Sequence, residues 1–179
     1  DYLFGHFTER DGLILDLRDN GGGSISNAYR IANRLVTERT TVGSEQFKNG
    51  PAHDDFTPLA PVRLSPPPGV TLWTKPVVVL TNRSSYSATN LFVALVRSLD
   101  QVTLVGDRTG GGGGIPAFTE LTNGWVLRVS AHQFFALDEP ANLNVELGIP
   151  PDIAVDQDPA DQAAGIDTIL ETALALLRS

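Results

Sequence analysis

The chain has 179 residues, of which 41% are hydrophobic and 19% are charged, and its formal net charge is −8. This length fits one domain and is enough to bury a sizeable core, so we expect a single domain over residues 1–179. The acidic balance argues against nucleic acid and against an anionic membrane surface as partners, because neither would attract the chain.

Several classes are excluded by what the sequence lacks. It contains no cysteine, which excludes disulfides, a thiolate nucleophile and a Cys-ligated zinc. No run of about 18 apolar residues occurs, so no membrane span is predicted. No cluster has metal-ligand spacing, and we expect neither a metal nor a cofactor. The first residues do not resemble a signal peptide, and the absence of methionine leads us to expect a processed form or a part of a longer protein.

Strands and helices alternate along the chain. The predicted strands are 12–17, 40–47, 77–81, 102–105 and a hairpin of 118–121 and 125–130 around an Asn123-Gly124 turn, with 133–137 extending the sheet. The predicted helices are the end of one over 2–9, a second from 24 or 26 to 36, a third that follows Ser87 and reaches 99, and an amphipathic one over 161–178 that includes Ile166 in its apolar face. This alternation predicts an α/β fold with an added hairpin.

Two stretches carry little regular pattern. Residues 37–75 are long and weakly patterned apart from 40–47, and their prolines deny regular structure nearby: Pro58, Pro61, Pro66, Pro67 and Pro68. Residues 110–114 are an unbroken run of glycines, which cannot be the interior of a helix or a strand.

Ser87 lies where a buried strand gives way, through a polar turn, to a helix. One hypothesis is that Ser87 or Ser85 caps the helix by accepting a hydrogen bond from a free backbone N–H. The other is that Ser87 is a nucleophile. A hydroxyl at this position has backbone N–H groups and the positive end of the helix dipole beside it, which is where a tetrahedral oxyanion needs donors.

The glycine turn 20–24 also follows a strand and opens a helix, and it admits three interpretations. Anion or nucleotide binding is one, although Ser26 stands where a dinucleotide fingerprint needs its third glycine. Tight turning is the second. In the third, the N–H of Gly21 or Gly22 forms one half of an oxyanion hole and the Ala88 N–H forms the other.

A serine nucleophile needs a base within hydrogen-bond reach. Lys75 precedes the strand that leads to Ser87 and is separated from it by about 20 Å, while Lys48 lies in the long loop. His53 has two neighbouring carboxylates that would orient it, or it is a solvated loop residue. His132 follows a strand and admits either orientation. Glu146 would orient a base or cap a turn.

Four segments, in order, carry a family resemblance: 12–24, 77–90, 102–111 and 146–153. They are similar to the DLRxNxGG, VxLVNxxSASASE, xLVGExTFGKG and GIxPDI segments of the C-terminal processing (tail-specific) serine proteases. The resemblance implies a crotonase/ClpP-like α/β core of stacked βα units with an added β-hairpin and a closing C-terminal helix. It also implies Ser87 as the nucleophile, an oxyanion hole of Gly21 or Gly22 with Ala88, and a periplasmic or extracellular location.

The chain departs from that family where the base should be. Typical members have a lysine 25 residues after the serine, and here that position is Gly112. Asn90 replaces an acidic residue. Some relatives, such as the tricorn core, use a histidine with a glutamate, and Glu146 is similar to that glutamate. Their histidine comes from an N-terminal segment that this chain does not contain. The base is therefore upstream, or is His53 or His132, or is absent.

We expect the core of a serine peptidase that cleaves peptide bonds through a Ser87 acyl-enzyme, with Ser87, Glu146 and His53 as the candidate catalytic residues and a peptide or protein as the substrate. One alternative is an inactive relative that binds peptides or apolar ligands in the same cleft, and another is a nucleotide-binding α/β domain. The sequence does not predict the oligomeric state.

Overall fold

The computed structural model describes residues 2–137 and 145–178. Within these ranges the strands are β1 (Leu13–Asp16), β2 (Thr40–Phe47), β3 (Ala60–Leu64), β4 (Val77–Thr81), β5 (Val102–Gly106), β6 (Pro116–Glu120), β7 (Val126–Ser130), β8 (His132–Ala136) and β9 (Ile153–Ala154). The helices are α1 (Tyr2–His6), α2 (Ile25–Ala32), α3 (Ala88–Val96), α4 (Pro159–Ala163) and α5 (Thr168–Arg178), with short 3-10 helices at Asn33–Leu35 and Val145–Leu147. None of the described helices is long and apolar enough to cross a membrane.

The central sheet is parallel, with the strand order β1-β4-β5-β9. Val77 of β4 pairs with Leu13 of β1 on one side and with Val102 of β5 on the other. All five β4 residues are buried, as expected for an inner parallel strand that is covered on both faces. Because β1 and β4 run in the same direction, the turns after them emerge at the same edge of the sheet. The predicted α/β class is confirmed.

Alternate residues of β4 face two hydrophobic clusters. Val77 and Val79 belong to the larger cluster, which also contains the buried side chains of α2, α3 and the second sheet. Val78 and Leu80 pack in the smaller cluster with Ala173 of α5. All nine residues of α3 are buried, so this helix lies inside the protein and its N-terminus is held firmly.

The second sheet is antiparallel, with the order β3-β2-β8. The prediction that prolines deny structure here is wrong for 60–64, because Pro61 lies in β3 opposite Ser44. As β3 is an edge strand, the missing N–H of proline is tolerated. The predicted strand over 133–137 joins this sheet as β8, where Ala136 pairs with Gly43.

The predicted hairpin is confirmed as β6 and β7, which form a separate two-stranded sheet. Pro116 pairs with Ser130 and Phe118 pairs with Arg128. Gly124 adopts a φ of 82° in the turn, as the Asn123-Gly124 pair predicts. The β7 side chains are all exposed.

The single helix predicted over 161–178 is wrong, since two helices, α4 and α5, occupy this region. Gly165 has a φ of 75° and ends the first of them. Asp158 caps α4 by accepting hydrogen bonds from the Ala160 and Asp161 N–H groups. Ile166 lies between the two helices and is 44% exposed, so it is not part of the buried face.

Arg18 joins the end of β1 to the start of α5. Its Nη2 lies 2.6 Å from Asp16 Oδ2 and 2.7 Å from Asp167 Oδ2. Hydrogen bonds from the guanidinium hold the pKa of both carboxyls below their usual value, and the same bonds raise the pKa of Arg18. The arginine therefore fixes the first residues of the glycine turn against the C-terminal helix.

Replacing this arginine should make the protein less stable at neutral pH. Arg18→Gln is expected to lose about 1 kcal/mol of unfolding free energy, because charge-assisted hydrogen bonds are lost at a half-exposed site. Carboxyls with a lowered folded-state pKa stabilise the fold above their unfolded pKa of about 4, and this contribution disappears as the pH falls below it. Urea unfolding at pH 7, 5 and 3 should therefore give a difference that shrinks at pH 3.

Arg39→Gln is the matched control, since Arg39 is exposed and forms no ion pair within the described ranges. An equal loss in both variants, or a loss for Arg18→Gln that persists unchanged at pH 3, would contradict the role given to Arg18.

Candidate active site

The turn after β1 and the turn after β4 are linked through Asn20. Its backbone oxygen accepts a hydrogen bond from the Tyr86 N–H at 3.1 Å. Its side-chain Oδ1 accepts from Thr89 Oγ1 at 2.8 Å and from the Gly22 N–H at 3.0 Å. One asparagine thus ties the glycine turn to both the serine turn and the first turn of α3.

Ser85, which is buried, forms a further hydrogen bond between the turn after β1 and the turn after β4. Its hydroxyl is fully buried and donates to Leu17 O at 2.8 Å, while it accepts from the Asn82 N–H at 3.0 Å. Asn82 in turn donates from Nδ2 to Asp19 Oδ1 at 3.0 Å. Ser85 therefore connects the two turns and does not cap α3, so that part of the capping hypothesis is wrong.

Gly22 lies where the two turns touch. Its φ is 99°, and a Cβ added there would come within 2.8 Å of both Ser87 Cβ and Ala88 N. No side chain can be accommodated at that separation. Glycine is therefore required by the approach of the turn to Ser87, in addition to the backbone conformation.

Ser87 occupies the N-cap position of α3 with an unusual backbone, φ 58° and ψ −122°, and its side chain makes no capping hydrogen bond. The capping hypothesis is therefore wrong for Ser87 as well. Its N–H donates to Gly111 O at 2.9 Å, and its carbonyl accepts from the Leu91 N–H at 2.9 Å. A positive φ is costly for a residue with a side chain, so the surrounding contacts must hold this conformation in place.

Ser87 lines a cavity of about 230 Å³. The walls come from the glycine turn, α3, the glycine run and the hairpin, and include Gly23, Leu91, Gly112, Gly113, Pro116 and Arg128. A second cavity of about 200 Å³ lies beside Gly22 and Ala88 and has largely apolar walls that include Leu15 and Phe92. The contact between Gly22 and Ala88 is thus flanked by two cavities.

The candidate oxyanion donors differ in whether their N–H groups already donate a hydrogen bond. The Ala88 N–H forms no hydrogen bond within the described residues, and it is the first N–H of α3. The Gly21 N–H is also unused in this part of the chain, whereas the Gly22 N–H donates to Asn20 Oδ1. The start of α3 therefore offers an open donor beside Ser87, at the positive end of a nine-residue helix.

The glycine run contacts both Ser87 and Glu146. Gly111 accepts the Ser87 N–H on one side and packs against the backbone oxygen of Glu146 on the other. Gly114 packs against Glu146 Oε1 and Ser130 Oγ. The structure thus brings Glu146, in the 3-10 helix Val145–Leu147, against the glycine run that Ser87 also contacts.

Asn90 supports this arrangement from α3. It is fully buried, donates from Nδ2 to Val145 O at 2.7 Å and accepts from Thr109 Oγ1 at 2.6 Å. Thr109 Oγ1 also accepts from the Ile149 N–H at 2.7 Å. Asn90 therefore holds the segments on either side of the glycine run, a structural role that the sequence alone did not reveal.

Neither His53 nor His132 is among the residues that line the Ser87 cavity. His53 is in the exposed loop between β2 and β3. His132 is buried, with Nδ1 2.9 Å from Gly113 O and Nε2 2.9 Å from Glu45 Oε2. Both ring nitrogens of His132 therefore already have partners, one on the glycine run and one on β2, while a role for His53 as the base stays a prediction.

The two lysines are also engaged elsewhere. Lys75 donates to Thr8 O and Arg10 O, near the opposite end of β4 from Ser87. Lys48 donates to backbone oxygens of the loop that contains His53. Within the described residues, no group of three His, Asp or Glu side chains is placed to hold a metal ion.

Gly112, the position at which the sequence resemblance led us to expect a lysine, lies against an aromatic ring. Gly112 has a φ of 79°, and a Cβ added to it would overlap the Tyr86 ring and lie 2.7 Å from Tyr86 Oη. A side chain at 112 is therefore incompatible with Tyr86 in its present position. The sequence pattern gave no sign of this pairing, because it depends on how the two loops meet.

Comparison with known proteins gives one consistent family. Residues 4–155 match Peptidase family S41. The chain is 50% identical to a peptidase candidate from Parabacteroides merdae, with a TM-score of 0.91 over 99% of this chain and 55% of that one. It is 30% identical to the carboxyl-terminal-processing protease of Synechocystis over 82% of this chain and 31% of that protein. It is 29% identical to the Tricorn protease of Thermoplasma volcanium over 94% of this chain and 15% of that protein.

The contact between Tyr86 and Gly112 can be measured as a coupling free energy in a double-mutant cycle. Gly112→Ala is expected to cost about 2 kcal/mol of unfolding free energy, from the positive φ and from overlap with the ring. Adding Tyr86→Ala should recover about half of that loss, because only the overlap is relieved. Urea unfolding of the two single variants and the double variant gives the coupling energy.

Gly124→Ala isolates the backbone part of the cost, since Gly124 has a similar φ of 82° and nothing within 4 Å of an added Cβ. If Gly112→Ala costs no more than Gly124→Ala, or if Tyr86→Ala recovers nothing, the overlap is not real.

Proposed function

The chain belongs to peptidase family S41, and we propose that it is the catalytic core of a serine-type peptidase in which Ser87 is the nucleophile. One observation carries the proposal: the Ser87 hydroxyl lines a cavity, free of any capping bond, directly before the open Ala88 N–H. A serine that only terminated a helix would use its hydroxyl as a cap and would have no need of a positive φ.

In the proposed reaction, Ser87 Oγ forms a bond to the peptide carbonyl carbon as its proton passes to a base. The carbonyl oxygen becomes an oxyanion and accepts hydrogen bonds from the Ala88 N–H and from the N–H of Gly21 or Gly22. The C–N bond then breaks, and the leaving amine takes the proton. Water attacks the resulting ester by the same route and regenerates the serine.

We propose a histidine as the base, with Glu146 as the carboxylate that would orient it. Position 112 is a glycine and no described lysine lines the Ser87 cavity, while Glu146 lies against Gly111 and Gly114 of the glycine run. A carboxylate that orients an imidazole is the usual partner of such a base. His53 is the candidate within the chain, and a segment upstream in the full-length protein is the other.

A second function, binding of peptides without cleavage, has one observation in its favour. No described lysine or histidine side chain lines the Ser87 cavity. The two cavities on either side of the Gly22–Ala88 contact would then hold a peptide without cleaving it. Nucleotide binding has no comparable support, because the glycine turn packs tightly against Ser87 and Ala88.

The chain spans about a third of the carboxyl-terminal-processing relatives that it matches, for example 31% of the Synechocystis protein and 37% of the Picosynechococcus protein. The activity and substrates of the whole protein, and its location in the periplasm or outside the cell, are accordingly part of the proposal. The substrate class is a peptide or protein, as family membership implies.

A fluorophosphonate probe tests the nucleophile directly. The full-length protein should be labelled, Ser87→Ala should lose the label, and Ser84→Ala should keep it. Ser84 is the matched control because it lies in the same turn and is exposed. Retained labelling of Ser87→Ala, or no labelling of any folded variant, would count against the peptidase and favour peptide binding.

The same probe examines the base. If His53 accepts the serine proton, His53→Ala should slow labelling by about a hundredfold, which is typical of a lost general base. An unchanged rate would exclude His53 and leave the upstream segment as the source.

A further inference from the structure

Arg128 is the cation among the residues that line the Ser87 cavity. Its neighbours in the wall are glycines or apolar residues such as Leu91, Ile115 and Pro116. It lies on β7, directly opposite Phe118 of β6. Arg128 therefore borders the space in which the reacting peptide bond would lie in the proposed reaction.

The position of this guanidinium is set by a neighbouring ring and not by an acid. Its Cζ lies 5.5 Å from the centre of the Phe118 ring, within the range of a cation–π contact. Within residues 2–137 and 145–178, no carboxylate forms an ion pair with Arg128. Glu120 is two residue pairs further toward the turn, on the same face of the hairpin, and forms no ion pair with Arg128.

The Arg128 side chain is exposed and its charge is unpaired within the described residues, whereas Arg18 and Arg83 are paired with carboxylates. Arg128 keeps its N–H fork available in the cavity wall. A guanidinium binds a carboxylate through two parallel hydrogen bonds. This geometry selects a negatively charged group and fixes its orientation.

We propose that Arg128 makes the Ser87 cavity a subsite for a carboxylate, so that the chain selects peptides with a carboxylate within one or two residues of the scissile bond. This inference rests on the proposed function and adds the substrate class. The carboxylate has two sources with the same chemistry, an acidic side chain or the free C-terminus of the peptide. The hairpin is the specificity element, and Phe118 is the positioning residue that holds the guanidinium.

Binding tests this preference without requiring turnover. The Ser87→Ala chain is titrated into fluorescein-labelled hexapeptides, and anisotropy gives the Kd at low salt. One series carries Glu at successive positions, a matched series carries Gln, and both have amidated C-termini. A third series carries Gln and a free C-terminus. The position with the largest Glu-to-Gln ratio identifies the subsite, and the third series identifies C-terminal recognition.

In the Arg128→Gln background the preference for the carboxylate peptide should fall about fivefold, as for an exposed ion pair worth about 1 kcal/mol. Binding of the amidated Gln peptides should not change. Arg128→Lys should keep part of the preference, since it retains charge without the fork. Arg128→Glu should reverse the preference toward peptides with Lys at the same position.

Arg63→Gln is the matched control, because Arg63 is an exposed arginine on a strand of the other antiparallel sheet. The inference is overturned if Arg128→Gln leaves the Glu-to-Gln ratio of the peptides unchanged, or if Arg63→Gln lowers that ratio equally. If a variant only loosened the packing of the hairpin, binding of all peptides would weaken by the same factor, and the ratio of the Kd values for the Glu and Gln peptides would not change. If the fluorophosphonate probe fails but the charge preference holds, the peptidase proposal falls while the carboxylate subsite stands.

Discussion

The whole site depends on the contact between two turns at one edge of the parallel sheet. Strands β1 and β4 deliver these turns side by side, and Asn20 fastens them by accepting hydrogen bonds from Tyr86, Thr89 and Gly22. Gly22 allows the approach because it has no side chain to collide with Ser87. The contact also brings the glycine turn against Ser87 and Ala88 N, which is the arrangement that the proposed oxyanion hole requires.

The glycine run makes the second constraint, because it contacts both the Ser87 N–H and Glu146. A backbone without side chains can accept the Ser87 N–H through Gly111 and still lie against Glu146 on its other side. At Gly112 the same run packs against the Tyr86 ring, which an added Cβ would overlap. Buried His132 contacts the run through Gly113 O. The glycine run is thus the common contact of the serine turn, Glu146 and His132.

Local patterns were enough to predict the elements that carry the site. The aliphatic runs of β1 and β4, the glycine turn and the apolar spacing of α3 each follow from rules that operate over a few residues. Other features depend on tertiary context. Pro61 enters a strand because β3 is at an edge, and Gly165 divides the C-terminal helix. Arg128 reaches the cavity only because the exposed hairpin folds beside α3, which no pattern within its own strand encodes.

A crystal structure of the full-length protein after reaction with a peptidyl phosphonate tests the account most directly. We predict a bond between phosphorus and Ser87 Oγ, with the phosphoryl oxygen within about 3.1 Å of Ala88 N and of the N–H of Gly21 or Gly22. A phosphonate bound to another residue, or a phosphoryl oxygen directed away from the start of α3, would contradict the assignment of Ser87 and its oxyanion hole.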